Sequence, residues 1–282
     1  MLGVSPNTLR SWERRFGYPT PRRTSGGHRQ FDLAEIEALR QAFEETHNVS
    51  SAISIARERG SGPSSPVRLR SALRRFEELE ADRILEESLA VRSVERTVEE
   101  VLLAAVDGLA AREGDARSAE LVFGLRWATG WLAAAKRVAP PPMRPEAVLI
   151  FDASWTCDLD SLHAQALELC LRRAGLRTLM LTPDLDASRL AHVMRVLHPR
   201  VIVLTGKRTA WAASLSRIAL ESRRTSEAVD VLEFRGALAG ADATAVPRLG
   251  ASAIGGRDVL LARLNGVGGA PARGRPALAQ IS

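Results

Sequence analysis

The reading of the chain turns on one stretch, Gly3-Val4-Ser5-Pro6-Asn7-Thr8-Leu9-Arg10-Ser11-Trp12-Glu13-Arg14-Arg15-Phe16-Gly17-Tyr18-Pro19-Thr20-Pro21-Arg22-Arg23-Thr24-Ser25-Gly26-Gly27-His28-Arg29-Gln30-Phe31. Ser5 is a good N-cap, and Pro6 stands at a first helical position, where its missing N–H costs nothing. A helix is therefore expected from about residue 5 to Phe16, with Gly17 ending it. Its period turns Leu9 and Trp12 inward and Asn7, Arg10, Arg14 and Arg15 outward. Six arginines stand against the single Glu13 in this stretch, a net +5 out of the whole chain's formal +6. So much positive charge on one small folded segment suits a polyanionic backbone. Charge alone also fits a solvated basic helix.

The order of residues is more specific than the charge. Thr8-Leu-Arg-Ser-Trp-Glu-Arg-Arg15 followed by Pro21-Arg-Arg-Thr-Ser-Gly-Gly-His-Arg29 resembles the recognition helix and wing of MerR-family winged helix-turn-helix transcription regulators. The resemblance implies that Asn7, Thr8 and Arg10 lie near base edges or phosphates in the major groove, and that Arg22, Arg23, His28 and Arg29 grip the backbone from the wing. Phe16 and Phe31 stand where the family commonly has Tyr, each without a hydroxyl that would bond phosphate. Met1-Leu2-Gly3-Val4 corresponds to the turn of the motif, so the helix that should brace the recognition helix is missing ahead of it. The expectation is that the native protein has a further N-terminal segment carrying that helix.

Beyond the wing, Asp32-Leu-Ala-Glu35 is a capping-box pattern, with Ile36, Leu39 and Phe43 as its apolar stripe. A second helix is expected over Val49–Arg59, completing a domain over residues 1–60. Gly60-Ser-Gly-Pro-Ser-Ser-Pro66 reads as a hinge, with 61–66 as the linker proper. Residues 67–138 are helical in pattern, with breaks near Ala81, near Ser93 and at Gly114-Asp115. The spacing of Val98, Leu102, Ala105, Leu109, Leu121, Leu125 and Leu132 predicts a four-helix bundle. Trp127 and Trp131, four apart, are expected to pack in its core.

After the stiff connector Ala139-Pro-Pro-Pro-Met-Arg-Pro145, short apolar runs alternate with helical patterns over 146–266. Val148–Phe151, Leu179–Thr182, Val201–Leu204, Val229–Phe234 and Ala251–Ile254 read as parallel strands of a doubly wound, Rossmann-like α/β sheet. Residues 267–282, rich in Gly, Ala, Pro and Arg, read as a disordered tail. The chain is thus multidomain. No run approaches a membrane-spanning length and no export signal opens it, so a cytoplasmic protein without a membrane partner is expected. Cys157 and Cys170 read as reduced thiols.

The order of a MerR-like reader, a four-helix bundle and a Rossmann-like domain resembles the cobalamin-dependent photoreceptor repressors that control carotenoid genes. That family carries Glu-x-His-x-x-Gly after the first strand, its imidazole ligating cobalt. Counted back from Leu171-Arg-Arg-Ala-Gly175, Asp158 stands at the Glu, Asp160 at the His and His163 at the Gly. A carboxylate is a poor substitute for that nitrogen donor. His163, almost one turn further on, is expected to be a half-exposed helix histidine. The family's Trp over the upper cobalamin face and its Glu-His pair fall, anchored on Gly114, at Ala111, Leu121 and Val122. Lower ligand, upper cover and upper polar pair are lost together, so no cobalamin is expected.

Asp152, Asp158 and Asp160 make one strand-end edge acidic, and Gly206-Lys207 follows the third strand. A solvated rim is the expected reading of both. There is no P-loop, no G-x-G-x-x-G and no catalytic constellation, which points away from an enzyme. The function expected is a regulator that binds double-stranded DNA as a homo-oligomer, its C-terminal half oligomerising, with a ligand-sensing role left open to it. Two alternatives stand beside it. A cobalamin-carrying enzyme module explains bundle and sheet but not the recognition helix. A still cobalamin-responsive, light-sensing repressor needs a replacement for the lost ligand.

Overall fold

A computed structural model describes residues 6–19, 21–23, 29–31, 33–59, 65–111, 118–207, 209–225, 229–238 and 246–266. The chain divides into two compact units, Met1–Pro141 with Ser154–Arg173, and Pro142–Ala153 with Ala174–Ser282.

In the first unit, helix α1 (Pro6–Phe16) ends where Gly17 adopts φ +65° and its N–H bonds the Glu13 carbonyl at 2.7 Å. This αL stop suits a residue without Cβ. Strands β1 (Arg22–Arg23) and β2 (Arg29–Gln30) pair antiparallel, Arg22 opposite Gln30 and Arg23 opposite Arg29. Helices α2 (Leu33–Thr46) and α3 (Val49–Arg59) follow, the second opened by Asn48, whose Oδ1 accepts from the N–H groups of Ser50 and Ser51 at 2.9 and 3.2 Å. Tyr18, Leu39, Ala42, Ala52, Ile53 and Ala56 form the small core, with Trp12, Phe16 and Phe43 packed against it. The N-caps expected at Ser5 and Asp32 lie outside the described residues.

The bundle begins earlier than its sequence pattern indicates. Ser65 Oγ accepts from Arg68 N–H at 3.2 Å and Pro66 takes the first helical position, so the last two residues of the presumed hinge belong to α4 (Pro66–Arg74). Nor does the chain break near Ala81. That residue is fully buried inside α5 (Glu78–Leu89), and the break falls at Phe76, whose φ is +58°. There Phe76 N–H bonds Leu73 O at 3.2 Å and Glu77 N–H bonds Ala72 O at 3.1 Å, a Schellman closure with phenylalanine where glycine is usual. Ser93 caps α6 (Val94–Thr97), as the expected break at Ser93 requires.

Helix α6 runs through a π-helical turn, Val98–Leu103, into α7 (Ala104–Ala110). The break expected at Gly114-Asp115 lies outside the described residues. Ser118 caps the long α8 (Ala119–Arg137). Leu69, Leu73, Ile84, Leu85, Leu102, Leu109 and Leu132 are fully buried between these helices. Trp127 packs inward as expected and donates its Nε1–H to Asp82 Oδ1 at 3.0 Å, while Trp131 is half-buried.

Helix α9 (Leu159–Arg173) packs on α8 and on the π turn, within the same unit. Its Glu168 side chain is 3% exposed, held by Lys136 Nζ at 2.8 Å and by Arg172 at 2.7 Å. Burial alone would raise the pKa of Glu168, but the Lys136 and Arg172 charges and hydrogen bonds outweigh it and hold the carboxyl below the usual glutamate value.

The second unit holds a four-stranded, fully parallel sheet in the order β4-β3-β5-β6, formed by β3 (Ala147–Asp152), β4 (Arg177–Leu181), β5 (Pro199–Thr205) and β6 (Asp230–Glu233). Leu149, Phe151, Ile202, Leu204 and Val231 pack with Leu190, Met194 and Leu197 of α10 (Ala187–Leu197) and Leu215 and Ile218 of α11 (Thr209–Thr225). The strand expected at Ala251–Ile254 is instead the start of α12 (Ala253–Leu264). Ser252 Oγ accepts from Gly255 N–H at 3.0 Å, so the short apolar run belongs to a capped helical turn. Arg263 ties α12 to Asp230 of β6 at 2.6 Å. Among the described residues no helix is long and apolar enough to cross a membrane. The tail read as disordered, 267–282, lies outside the described residues.

Lys136→Ala leaves the buried Glu168 carboxylate with Arg172 as its remaining cation, so the variant is expected to lose about 1–3 kcal/mol in urea unfolding. Because the folded Glu168 value is depressed, its contribution is present above the unfolded value and lost as pH falls through the folded one. Stability measured downward from about pH 4.5 should fall more steeply in the parent than in Glu168→Gln.

Candidate functional site

On α1 the exposed residues Asn7, Arg10 and Arg14 recur at helical spacing and form one stripe, while Trp12 and Phe16 anchor the opposite side on the α2–α3 core. Thr8 and Leu9 are half-buried at its flanks. Arg15 is exposed, its guanidinium carbon 5.2 Å from the centre of the Phe16 ring. The pairing of β1 with β2 sets Arg23 directly opposite Arg29, with Arg22 beside them. His28 lies outside the described residues. The helix therefore brings Asn7, Arg10 and Arg14 onto one face, and the wing brings Arg22, Arg23 and Arg29 onto one short ladder.

The second set of expected positions surrounds α9. Asp158 and Asp160 lie at its N-terminal end, both half-buried, with Asp158 Oδ1 2.6 Å from Leu159 N–H. His163 departs from expectation. It is 4% exposed, not half-exposed, because it lies one turn inside α9 and faces the bundle. Its Nε2 is 2.9 Å from Asp107 Oδ1 on α7, and its Nδ1 is buried without a hydrogen-bond partner. Asp107 is the residue that sequence reasoning missed. Its place on the bundle side of α7 depends on the π turn just before it, which no residue pattern announces.

Ala111 is exposed at the C-cap of α7, Leu121 is half-buried in the first turn of α8, and Val122 is 40% exposed. None of the three offers a polar atom from its side chain. Asp152 belongs to the sheet unit, and Asp158 and Asp160 to the helical unit. Lys207 is exposed after Gly206, which adopts φ +89°. Among the described residues no group of three or more His, Cys, Asp or Glu side chains is arranged to hold a metal.

These donor atoms fit a corrinoid badly. The residue expected at the ligand position, Asp160, is a carboxylate, one nitrogen of the neighbouring His163 imidazole is engaged by Asp107, and the other is buried.

An arginine-bearing helix and wing, followed by a helical bundle and a parallel sheet, define a DNA-binding regulator with a cobalamin-binding-like C-terminal half. Residues 1–44 match the MerR HTH family of regulatory proteins. The chain is 30% identical over 222 residues to the HTH-type transcriptional repressor CarA of Myxococcus xanthus, covering 73% of each protein. It therefore belongs to this family of MerR-type transcriptional regulators. The HTH-type regulator MlrA of Salmonella typhimurium is 50% identical over 41 residues, which is 14% of this chain and 17% of MlrA. In fold, the monomethylamine corrinoid protein of Methanosarcina barkeri superposes with a TM-score of 0.53 at 11% identity, over 71% of this chain and 97% of that one.

Asp107→Ala removes the Nε2 partner and leaves both ring nitrogens of a buried imidazole unsatisfied. Urea unfolding should show a loss of about 1–3 kcal/mol. A variant as stable as the parent would mean that the pair contributes nothing to holding α7 against α9.

Proposed function

We propose that this chain is a cytoplasmic, homo-oligomeric regulator that docks α1 in the major groove of promoter DNA, grips the flanking phosphates with its wing, and works without cobalamin. The observation that carries this reading is the exposed Asn7, Arg10 and Arg14 stripe on a helix whose other face is anchored by Trp12 and Phe16. A recognition helix needs this division, rigid behind and polar in front. Asn7 and Arg10 are assigned to base edges, and Thr8 to the helix flank. Arg14, Arg15, Arg22, Arg23, His28 and Arg29 are assigned to phosphates, where they supply affinity without sequence information. One reader covers few base pairs, so two copies on paired half-sites are needed for tight binding. The reading places the protein among regulators and not enzymes.

One observation favours a cobalamin-responsive alternative, the buried and unpartnered His163 Nδ1. The two readings separate on mixing the full-length protein with adenosylcobalamin in the dark, followed by gel filtration. A colourless protein is expected. Retained corrinoid colour that disappears in His163→Ala would overturn the cofactor-free reading.

For DNA binding, Arg10→Ala and Arg14→Ala are each expected to weaken promoter affinity, with Arg14→Ala reducing the slope of log affinity against log salt by about one unit. Affinity unchanged in both variants by fluorescence anisotropy would rule out this docking of α1.

A further inference from the structure

Four of the exposed large apolar side chains in the described residues flank a single helix, α5. Phe76 and Leu79, 50% and 85% exposed, stand at its N-terminal end, and Leu89 and Val91, 37% and 72% exposed, at its C-terminal end. Phe76 and Leu79 border a cleft of about 610 Å³, lined also by Glu77, Glu78, Glu80 and Arg83. Phe76 holds the αL position of the α4 closure, where a bulky side chain is the costly choice, and its ring stands edge-on to Phe123 with centroids 5.4 Å apart. The backbone thus keeps an aromatic ring at the surface, and such an outlier marks a candidate contact.

The outward residues of α5 are Leu79, Arg83, Glu86 and Ala90, spaced four, three and four, the stripe of a two-helix seam. The inward face is Ala81, Ile84, Leu85 and Ser88, committed to the bundle. Arg83 is 61% exposed and bonds Glu80 of its own helix, while Glu86 is fully outward. Turned end over end, this stripe complements itself. Two copies of α5 laid antiparallel about a two-fold axis set Arg83 beside Glu86 of the second copy, and Glu86 beside its Arg83. Leu79 then meets Ala90 and the neighbouring Leu89 and Val91, which fill the cleft beside Phe76.

We infer that the outer face of α5 is an isologous docking surface for a second copy of this chain. The charges give it register and an antiparallel sense, since a parallel arrangement would set Arg83 beside Arg83 and Glu86 beside Glu86. One exposed helix face with its flanking side chains is a small contact, so the pair forms in the micromolar range in solution and is reinforced when both copies hold adjacent half-sites.

The test is sedimentation velocity on the full-length protein without DNA, which keeps it independent of the DNA-binding reading. A concentration-dependent dimer is expected between about 1 and 100 µM, with Leu79→Glu raising its dissociation constant at least about tenfold. Arg83→Glu and Glu86→Arg should each weaken it by about three- to tenfold, and the double reversal in one chain should return it to within about twofold of the parent. The reversal of both charges restores only the predicted cross-pair, because the Arg83–Glu80 bond is lost in Arg83→Glu and in the double variant alike. Register is read by mixing Leu79→Cys with Ala90→Cys, each in a Cys157→Ser background, where a disulfide between the two variants is expected. Unchanged circular dichroism confirms that each variant is folded. A protein monomeric at about 100 µM, a dimer indifferent to Leu79→Glu, or a double reversal no better than the single ones would overturn the inference.

Discussion

Glu168 sits in the helical unit with almost none of its side chain in water, and that constraint organises what surrounds it. An ionised carboxylate at such a site persists only if cations and donors meet it. Lys136, one of only two lysines in the chain, comes from α8, and Arg172 comes from the next turn of α9. Their convergence fixes α9 against α8 at a definite rotation. From that rotation follows the inward aim of His163, five residues earlier on α9, and its meeting with Asp107. Arg173, bonded to Glu95 at 2.7 Å, pins the far end of the same helix. Three polar contacts on α9 thus hold a helix whose remaining burial is by Ser161 and by Leu, Ala and Cys side chains and would tolerate rotation more readily.

The same placement accounts for the condition of the cofactor-type positions. At the N-terminal end of α9 this chain presents the carboxylates of Asp158 and Asp160. The imidazole three residues on is already occupied by a neighbour from α7. The parallel sheet survives with its order β4-β3-β5-β6, and its likeness to a corrinoid protein is one of fold. Architecture and donor set have different requirements. A sheet core of Leu149, Phe151, Ile202 and Leu204 depends on volume and alternation, whereas a ligand site depends on single atoms, so one can be kept while the other is lost.

Much of the fold was legible in the residues because local and global signals agreed. Gly17 marks the end of α1, Ser93 caps a helix of the bundle, and the strands of the sheet show as short apolar runs, three of them mostly buried. The misreadings have separate physical causes. Ala251–Ile254 has a strand's composition but a helix's start, since Ser252 reaches the Gly255 amide. Phe76 hides a helix end because the αL position is filled by an aromatic residue where glycine would have announced it. The π turn at Val98–Leu103 has no compositional sign at all, and with it went the chance of foreseeing Asp107 opposite His163. At the candidate DNA face, the outward stripe of Asn7, Arg10 and Arg14 was legible from period alone. The pairing of Arg23 with Arg29 needed the strand register.

The division of the chain has a consequence for its inheritance. Although α9 lies between β3 and β4 in sequence, it belongs to the helical unit, so the polypeptide passes between the units three times, near residues 141, 153 and 173. A module joined to its neighbour by one linker can be exchanged by a single recombination event, as can a reader domain moved from one regulator to another. These two units cannot be exchanged in that way. A crossover at residue 141 would deliver a bundle without α9, with Lys136 facing no carboxylate and the apolar side of α8 open to water. Bundle and sheet are therefore inherited together as one cassette.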